Sequence, residues 1–148
     1  MSTSVKPIPD GYQAVIPYLL VADAAAQIQF IEKGLGGELM LKMTNPDGSI
    51  GHSEMRVEGC VIMLSQSRAE WKPMPCMLYV YVNDVDAVFA RAVAAGATVV
   101  SEPKDQFYGD RTAGVQDLCG NQWWFGTHKE EMTAEELQRR HMAARSTH

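Results

Sequence analysis

The chain has 148 residues, of which 46% are hydrophobic and 21% are charged. This length suits one domain, and the apolar fraction excludes wholesale disorder. Thirteen Lys and Arg residues are scattered among eighteen Asp and Glu residues, for a formal net charge of −5. That balance argues against a nucleic-acid-binding protein and against a surface for anionic membranes.

The cysteines and the apolar runs indicate the compartment. Three cysteines, an odd number, form no C-x-x-C pair, which is typical of reduced thiols in the cytosol. The first residues contain no apolar signal-peptide core, and no apolar run is long enough to span a membrane. We therefore expect a cytoplasmic protein without a nucleic-acid or membrane partner.

The first half of the chain predicts a strand, a helix and three further strands. The helix begins after the capping residue Asp23 and ends at Gly36 and Gly37. Glycine supplies the positive φ of two predicted turns, at Gly48 and Gly59. The four strands are predicted at 14–21, 39–43, 51–57 and 60–64.

The same order of elements returns after a linker at 66–75. A second helix is capped by Asp84 and ends at Gly96. A capping box formed by Thr133 and Glu136 predicts a polar C-terminal helix at roughly 134–145. The four strands of this half are predicted at 77–82, 98–101, 111–116 and 121–126.

The two halves form a repeat with a constant offset of 61 residues. Tyr18 then matches Tyr79 and Asp23 matches Asp84, and the matches fall on strand ends, helix caps and turn glycines, where backbone geometry dictates residue type. The fold class predicted is α+β, with two tandem βαβββ modules and a C-terminal helix. The alternative is an ordinary α+β domain with two accidental αβ units. We expect one domain at 1–130, with modules at about 13–66 and 76–127, and a helical extension at 131–148.

Seven short stretches carry a family resemblance through their order and spacing. They are Val21-Ala-Asp-Ala, Gly51-His-Ser-Glu-Met-Arg-Val57, Val82-Asn-Asp-Val-Asp-Ala-Val-Phe89, Ala94-Ala-Gly-Ala97, Asp105-Gln-Phe-Tyr-Gly-Asp-Arg111, Asp117-Leu-Cys-Gly-Asn-Gln-Trp123 and Thr127-His-Lys129. The chain thereby resembles the vicinal oxygen chelate superfamily of glyoxalases, bleomycin-resistance proteins and dioxygenases, and within it the PhnB-like branch. The resemblance implies a curved, cup-like mixed sheet with helices outside, and a homodimer.

The resemblance also indicates where a metal would be bound. Metal-using members of this superfamily hold a divalent ion in the cup with His, Glu or Gln side chains on the first and fourth strand of each module. A thioether is a poor donor to hard divalent metals, and the other side chains at these positions offer no better ligand. We therefore expect no bound metal and no cofactor. The corresponding residues are Ile16, Met63, Met77 and Trp124.

Strand alternation predicts which side chains line the cup. The inward set is aromatic and Met-rich, with a few polar groups, whereas the set under the helices, from Val15 to Phe125 and including Trp123, is almost purely apolar. The inward surface suits a pocket for an apolar or aromatic ligand, unless its side chains collapse on one another or on a dimer partner. The residues predicted to bind ligand are Tyr18, Met63, Met77, Tyr79, Tyr81, Arg111, Gln122 and Trp124.

Three polar side chains are predicted to share one face of the third strand. His52 and Glu54 could act there as a general base and its orienter, with Arg56 beside them. A solvated outer strand or a salt-bridge ladder at a dimer interface is the alternative. The constant offset pairs His52 with Ala113 and Glu54 with Val115.

Arg111 follows a predicted loop and admits two interpretations. Its guanidinium could clamp an anionic group of a ligand in bidentate geometry. It could instead form an ion pair with Asp110, Asp105 or Glu102.

Two functions of different classes follow. The first is a metal-independent protein that binds a small apolar or aromatic molecule, and the metal positions without ligands favour it. The alternative is a metal-dependent lyase, isomerase or dioxygenase of the glyoxalase type. A metal-free enzyme that uses His52 or Glu54 as its base is a third possibility. We favour the binding protein over an enzyme and leave the question of catalysis open, because fold alone does not decide between them.

Overall fold

The computed structural model describes residues 4–146. Its element order confirms two tandem βαβββ modules followed by a helix. Module 1 contains β1 (Tyr18–Val21), α1 (Ala24–Leu35), β2 (Glu38–Thr44), β3 (Ile50–Val57) and β4 (Cys60–Gln66). Module 2 contains β5 (Met77–Tyr81), α2 (Val85–Ala94), β6 (Thr98–Asp105), β7 (Asp110–Gln116) and β8 (Gln122–His128), and α3 (Ala134–Arg145) follows.

The strands of each module form a mixed four-stranded sheet. The order is β1-β4-β3-β2 in module 1 and β5-β8-β7-β6 in module 2. β1 runs parallel to β4 and β5 parallel to β8, while the other pairs are antiparallel. Helix α1 packs on one face of the module 1 sheet and α2 on one face of the module 2 sheet, and α1 also packs against α2. We call the sheet face that is turned away from the module's own helix its open face.

The capping predictions hold at three helix starts. The carboxylate of Asp23 accepts a hydrogen bond from the Ala26 amide, and that of Asp84 accepts one from the Ala87 amide. The hydroxyl of Thr133 likewise accepts from the backbone amide of Glu136. None of the described helices is both long and apolar enough to cross a membrane.

The first strand is shorter than predicted. It begins at Tyr18, after Pro17, and Val15 is 86% exposed rather than packed under a helix. The side chain of Gln13 replaces the missing strand pairs, because its amide bonds to both the backbone N–H and the carbonyl oxygen of Val61. A proline donates no backbone hydrogen bond, so the ladder begins only beyond it.

The offset of 61 residues holds for the inner pair of strands but not for the next strand. Tyr18 faces Met63 in module 1 as Tyr79 faces Trp124 in module 2. On the neighbouring strands, however, Glu54 lies opposite Met63 whereas Gly114 lies opposite Trp124. The counterpart of Glu54 is therefore Gly114, and the predicted counterparts Ala113 and Val115 are wrong. Both of those side chains are fully buried in the core, since a shift of one residue changes the face.

One continuous core joins both modules. With the exception of Val15, the side chains predicted to lie under the helices are buried or packed against this core. Trp123 is fully buried, and its ring lies 6.3 Å from that of Phe30 on α1. The residues that were predicted to lie under the helices and that belong to this core or pack against it are Leu19, Val21, Ile62, Leu64, Leu78, Val80, Val82, Trp123 and Phe125.

A buried carboxylate ties the modules to each other. Asp117, in the turn between β7 and β8, accepts hydrogen bonds of 2.8 Å from the amide of Gln27 and from the indole of Trp123. Its second oxygen accepts from the backbone amides of Cys119 and Asn121. The Asn121 side chain donates in turn to Gln27, which belongs to α1 of the other module. The network thus fixes α1 against the β7–β8 turn.

We expect Asp117→Ala to lower the free energy of unfolding by about 3 kcal/mol or more, because Gln27 and Trp123 lose a buried acceptor. Urea unfolding followed by circular dichroism measures this loss. Asp105→Ala is the matched control, since that carboxylate is 79% exposed and makes one ion pair with Arg111, so its loss should stay below about 1 kcal/mol. Equal losses in the two variants would contradict the role assigned to Asp117.

Candidate functional site

A chain of four hydrogen-bonded side chains occupies the open face of module 1. The hydroxyl of Tyr12 donates to Glu54, whose other carboxylate oxygen lies 2.8 Å from Nε2 of His52. Nδ1 of His52 lies 3.1 Å from the hydroxyl oxygen of Tyr18. The carboxylate is 9% exposed and the imidazole 20% exposed. His52 and Glu54 therefore share a face as predicted, but this face is not a solvated outer strand.

The electrostatics of this chain favour an ionised Glu54. Hydrogen bonds from Tyr12 and then from His52 hold the pKa of the Glu54 carboxyl below its ordinary value and outweigh its burial. The same hydrogen bond to Glu54 raises the pKa of Tyr12. Glu54 therefore acts as a hydrogen-bond acceptor only.

A cleft of about 740 Å³ opens beside Tyr18. The segment after β4 forms one wall, because Met74 pairs with Leu20 at the free edge of β1 and Trp71 exchanges backbone hydrogen bonds with Arg68. The β2–β3 turn forms the opposite, polar rim. The lining residues are Tyr18, Leu20, Asn45, Asp47, Ser49, Gly51, Ser65, Gln66, Ser67, Arg68, Trp71 and Met74.

The open face of module 2 is aromatic around one buried carboxylate. The hydroxyls of Tyr79 and Tyr81 donate to the same oxygen of Asp110, at 2.8 Å and 3.0 Å. The other oxygen of Asp110 lies 2.8 Å from Nδ1 of His128, and Nε2 of His128 lies 3.1 Å from Glu131. The two tyrosine rings meet edge to face at 5.2 Å. Asp110 therefore fixes the orientation of both rings.

The pKa values in this cluster follow from its hydrogen bonds. Burial by itself would raise the pKa of Asp110, but hydrogen bonds from His128, Tyr79 and Tyr81 outweigh burial and lower it. The contact with Asp110 raises the pKa of His128. Burial and then the bond to Asp110 raise the pKa of the Tyr79 phenol, so this hydroxyl keeps its proton and acts as a donor.

Two glycines let the aromatic rings approach the module 2 sheet closely. A Cβ atom at Gly114 would come within 2.9 Å of the Trp124 ring, and one at Gly126 within 2.2 Å of the Tyr79 hydroxyl. Trp124 also donates from its indole nitrogen to Gln122 at 3.1 Å. Larger residues at these glycines would lift the rings off the sheet.

The eight residues predicted to bind ligand do not form one cluster within the chain. Tyr18 and Met63 lie on the module 1 sheet, while five others lie on the open face of module 2. Across residues 4–146, no strand of one sheet contacts a strand of the other. The five residues on module 2 are Met77, Tyr79, Tyr81, Gln122 and Trp124.

Arg111 lies apart from both open faces. Its guanidinium bonds to both carboxylate oxygens of Asp86 on α2, at 2.8 Å and 3.0 Å, and to Asp105 at 3.2 Å. Asp105 is one of the partners considered from the sequence, whereas Asp86 is not. The guanidinium of Arg111 is thus bonded to two carboxylates on the helix side of the sheet, which matches the ion-pair interpretation, and its role in ligand binding stays a prediction.

Sequence reasoning missed the residues of the cleft other than those on the strands. Trp71 and Met74 fall in a segment interpreted as a linker, and Asn45 and Asp47 in one interpreted as a turn. Trp71 is 56% exposed and Met74 is 64% exposed. One feature of the sequence could have indicated this wall, namely a tryptophan in a short connection that contains prolines. Large exposed apolar side chains often mark binding surfaces.

Residues 13–125 match the model of the Glyoxalase/Bleomycin resistance protein/Dioxygenase superfamily. The chain belongs to this family. An uncharacterised protein of Mycobacterium bovis is 34% identical over 149 residues, which covers 93% of this chain and 94% of that protein.

Solved structures show the same fold. TioX from Micromonospora sp. ML1 matches with a TM-score of 0.69 and 26% identity, over 78% of this chain and 98% of TioX. TnmS3 from Streptomyces sp. CB03234, an antibiotic binding protein, matches with a TM-score of 0.63 and 22% identity, over 80% and 100% of the two chains. A PhnB protein from Bacillus cereus matches with a TM-score of 0.62 and 16% identity, over 78% and 99%.

The residues at the family's metal positions do not fit a divalent metal. Met63 and Trp124 lie on separate open faces, and Ile16 precedes β1. Thioether, indole and alkyl groups are not ligands for a hard cation. Between residues 4 and 146, no three His, Cys, Asp or Glu side chains come together in a group that could hold a metal ion.

We expect the His128–Asp110 pair to stabilise the fold most between about pH 4 and pH 6.5, the ordinary pKa values of the two groups. The pKa of Asp110 is lowered, so its contribution is lost as the pH falls through the folded value. The pKa of His128 is raised, so its contribution is lost as the pH rises through the folded value. Urea unfolding of wild type and His128→Gln should differ most near pH 5.5 and less at pH 8.5.

The control for this pair is His141→Gln, since His141 lies on α3 against the Phe107 ring. Its difference from wild type should not follow the same pH profile. A wild-type advantage over His128→Gln that stays constant or grows from pH 5.5 to pH 8.5 would contradict the assignment.

Proposed function

We propose that the protein is a metal-independent small-molecule-binding protein that holds an apolar or aromatic ligand. The cleft of module 1 carries this proposal, since its volume of about 740 Å³ lies within the usual range for ligand sites. Its apolar wall is built from Leu20, Trp71 and Met74, and its rim is polar. TnmS3, an antibiotic binding protein of the same fold, supports the binding of a small molecule.

We propose further that two copies of the chain associate, with the module 2 open face of one copy over the cleft of the other. That face leaves Met77 67% exposed and Tyr81 58% exposed, a large aromatic surface for a single chain in water. Such a dimer would bring Tyr18 of one copy near Tyr79 and Trp124 of the other. The ligand residues on separate sheets would then form one site. We place the protein in the cytoplasm, because its cysteines are unpaired.

A panel of apolar or aromatic compounds and of polar, non-aromatic compounds of equal mass tests the proposed ligand class by thermal shift and equilibrium dialysis. We expect the apolar or aromatic members to raise the melting temperature and the polar members to leave it unchanged. A panel in which the polar compounds bind as well as the apolar and aromatic ones would contradict the proposal.

The adjacent tryptophans should have opposite roles. Trp124→Ala should weaken binding of an aromatic ligand about tenfold or more with little loss of stability, because it removes a partly exposed wall. Trp123→Ala should lower the free energy of unfolding by about 3–5 kcal/mol, because it empties a buried site. Thermal melts and equilibrium dialysis separate the two effects. A Trp124→Ala variant that unfolds while Trp123→Ala melts like wild type would contradict this assignment.

The purified protein should be a dimer. Light scattering at micromolar concentration should give about twice the chain mass of 16.4 kDa. A clean monomer would contradict the proposed covering of the cleft.

The purified protein should also carry no tightly bound metal. Elemental analysis of protein prepared without chelator should show no stoichiometric divalent metal. Stoichiometric zinc, nickel, iron or manganese would favour a glyoxalase-type enzyme instead.

A further inference from the structure

Ionised Glu54 sets the direction of the first two hydrogen bonds in the chain on module 1. Because an ionised carboxylate can only accept, Tyr12 donates to one oxygen of Glu54 and Nε2–H of His52 donates to the other. When this N–H group is the one that the imidazole carries, Nδ1 of His52 is an acceptor.

Tyr18 is the next member of the chain. Its hydroxyl oxygen lies 3.1 Å from Nδ1 of His52, and it donates its single hydrogen to that nitrogen when Nδ1 is the acceptor. Tyr18 is 50% exposed and lines the cleft together with Leu20 and Met74. In that arrangement the phenol oxygen keeps lone pairs for a ligand and has no free hydrogen.

We propose that Nδ1 of His52 accepts from the Tyr18 hydroxyl, and that the cleft therefore selects aromatic ligands with a hydroxyl or N–H group, from which the phenol oxygen of Tyr18 accepts a hydrogen bond. This inference rests on the proposed binding function and narrows its ligand class. A ligand with an ether or carbonyl oxygen at the same place would bring two acceptor oxygens together. Their lone pairs repel each other, and the Tyr18 oxygen is left without a hydrogen-bond donor. The apolar body of the ligand packs on Trp71 and Met74, which flank Tyr18 in the cleft.

His52 is the positioning residue in this arrangement. Without its Nδ1 acceptor, the Tyr18 hydroxyl is free to rotate and can donate to the ligand as well as accept from it. Removal of His52 should therefore raise the affinity for acceptor-only ligands, whereas removal of the Tyr18 hydroxyl should lower the affinity for donor ligands.

Asp47 is a second acceptor at the cleft and must be tested separately. One of its oxygens already accepts from the backbone amide and the hydroxyl of Ser49, at 2.9 Å and 2.6 Å. These bonds lower the pKa of Asp47 and hold its carboxylate in the β2–β3 turn. An Asp47→Asn variant shows whether this carboxylate, rather than Tyr18, selects the donor.

The test compares 2-naphthol with 2-methoxynaphthalene by equilibrium dialysis against the full-length protein. The two probes share the same aromatic body, and only the first can donate a hydrogen bond. We expect wild type to bind 2-naphthol about tenfold more tightly, the size of one net hydrogen bond. In Tyr18→Phe the two Kd values should converge because 2-naphthol binds more weakly. In His52→Ala they should converge because 2-methoxynaphthalene binds more tightly.

Tyr108→Phe, on the loop between β6 and β7, is the control and should keep the wild-type ratio. Asp47→Asn is the test of the second acceptor at the cleft, and its ratio should stay high if Tyr18 selects the donor. If His52→Ala fails to fold, the test rests on Tyr18→Phe. This variant removes only the hydroxyl of a half-exposed side chain, so we expect it to fold. Equal affinity of wild type for both probes, or an unchanged ratio in Tyr18→Phe, overturns this inference and leaves the binding function standing. If Asp47→Asn loses the difference in affinity between the two probes while Tyr18→Phe keeps it, Asp47 selects the donor ligand. That result also overturns the inference about Tyr18. If neither probe binds, both this inference and the proposed binding function fail.

Discussion

The buried carboxylate of Asp117 determines how the two modules lie relative to each other. It accepts hydrogen bonds from Gln27 on α1, from Trp123 on β8 and from the backbone of its own turn. Each of those donors is shielded from water, so an alternative packing of the modules would leave several of them unsatisfied. The helices are thereby held against each other, and the two open faces remain on separate sheets.

The two copies of the repeat have come to present different chemistry on equivalent strands. Where module 1 has Glu54, module 2 has Gly114, and the missing side chain makes room for the ring of Trp124. Module 1 thus has a directed chain of polar groups beside a cleft, and module 2 has a flat aromatic surface oriented by Asp110. This division suits a site that is completed when the two kinds of face meet.

The proposed function without a metal would require recognition by shape and by the direction of hydrogen bonds. Met63 and Trp124 offer polarizable and aromatic surface. Under that proposal, specificity would depend on a few polar groups whose donor or acceptor character is set by their neighbours, as proposed for His52 and Tyr18 beside Glu54. Such hydrogen bonds discriminate between ligands of similar size, which apolar walls alone do weakly.

The sequence by itself determined the order of elements, the capping of the three described helices and the sheet face of most residues on the first and fourth strands of each module. These features depend on local backbone geometry and on a period of two, which are visible in one chain. It also determined that the family's metal positions hold no suitable ligands, since that follows from residue type. Only the tertiary structure decided that Arg111 is held by Asp86, that Trp71 forms a wall of the cleft and that β7 is shifted by one residue. Those results depend on contacts between distant segments and on the exact length of a turn, for which a sequence pattern carries no signal.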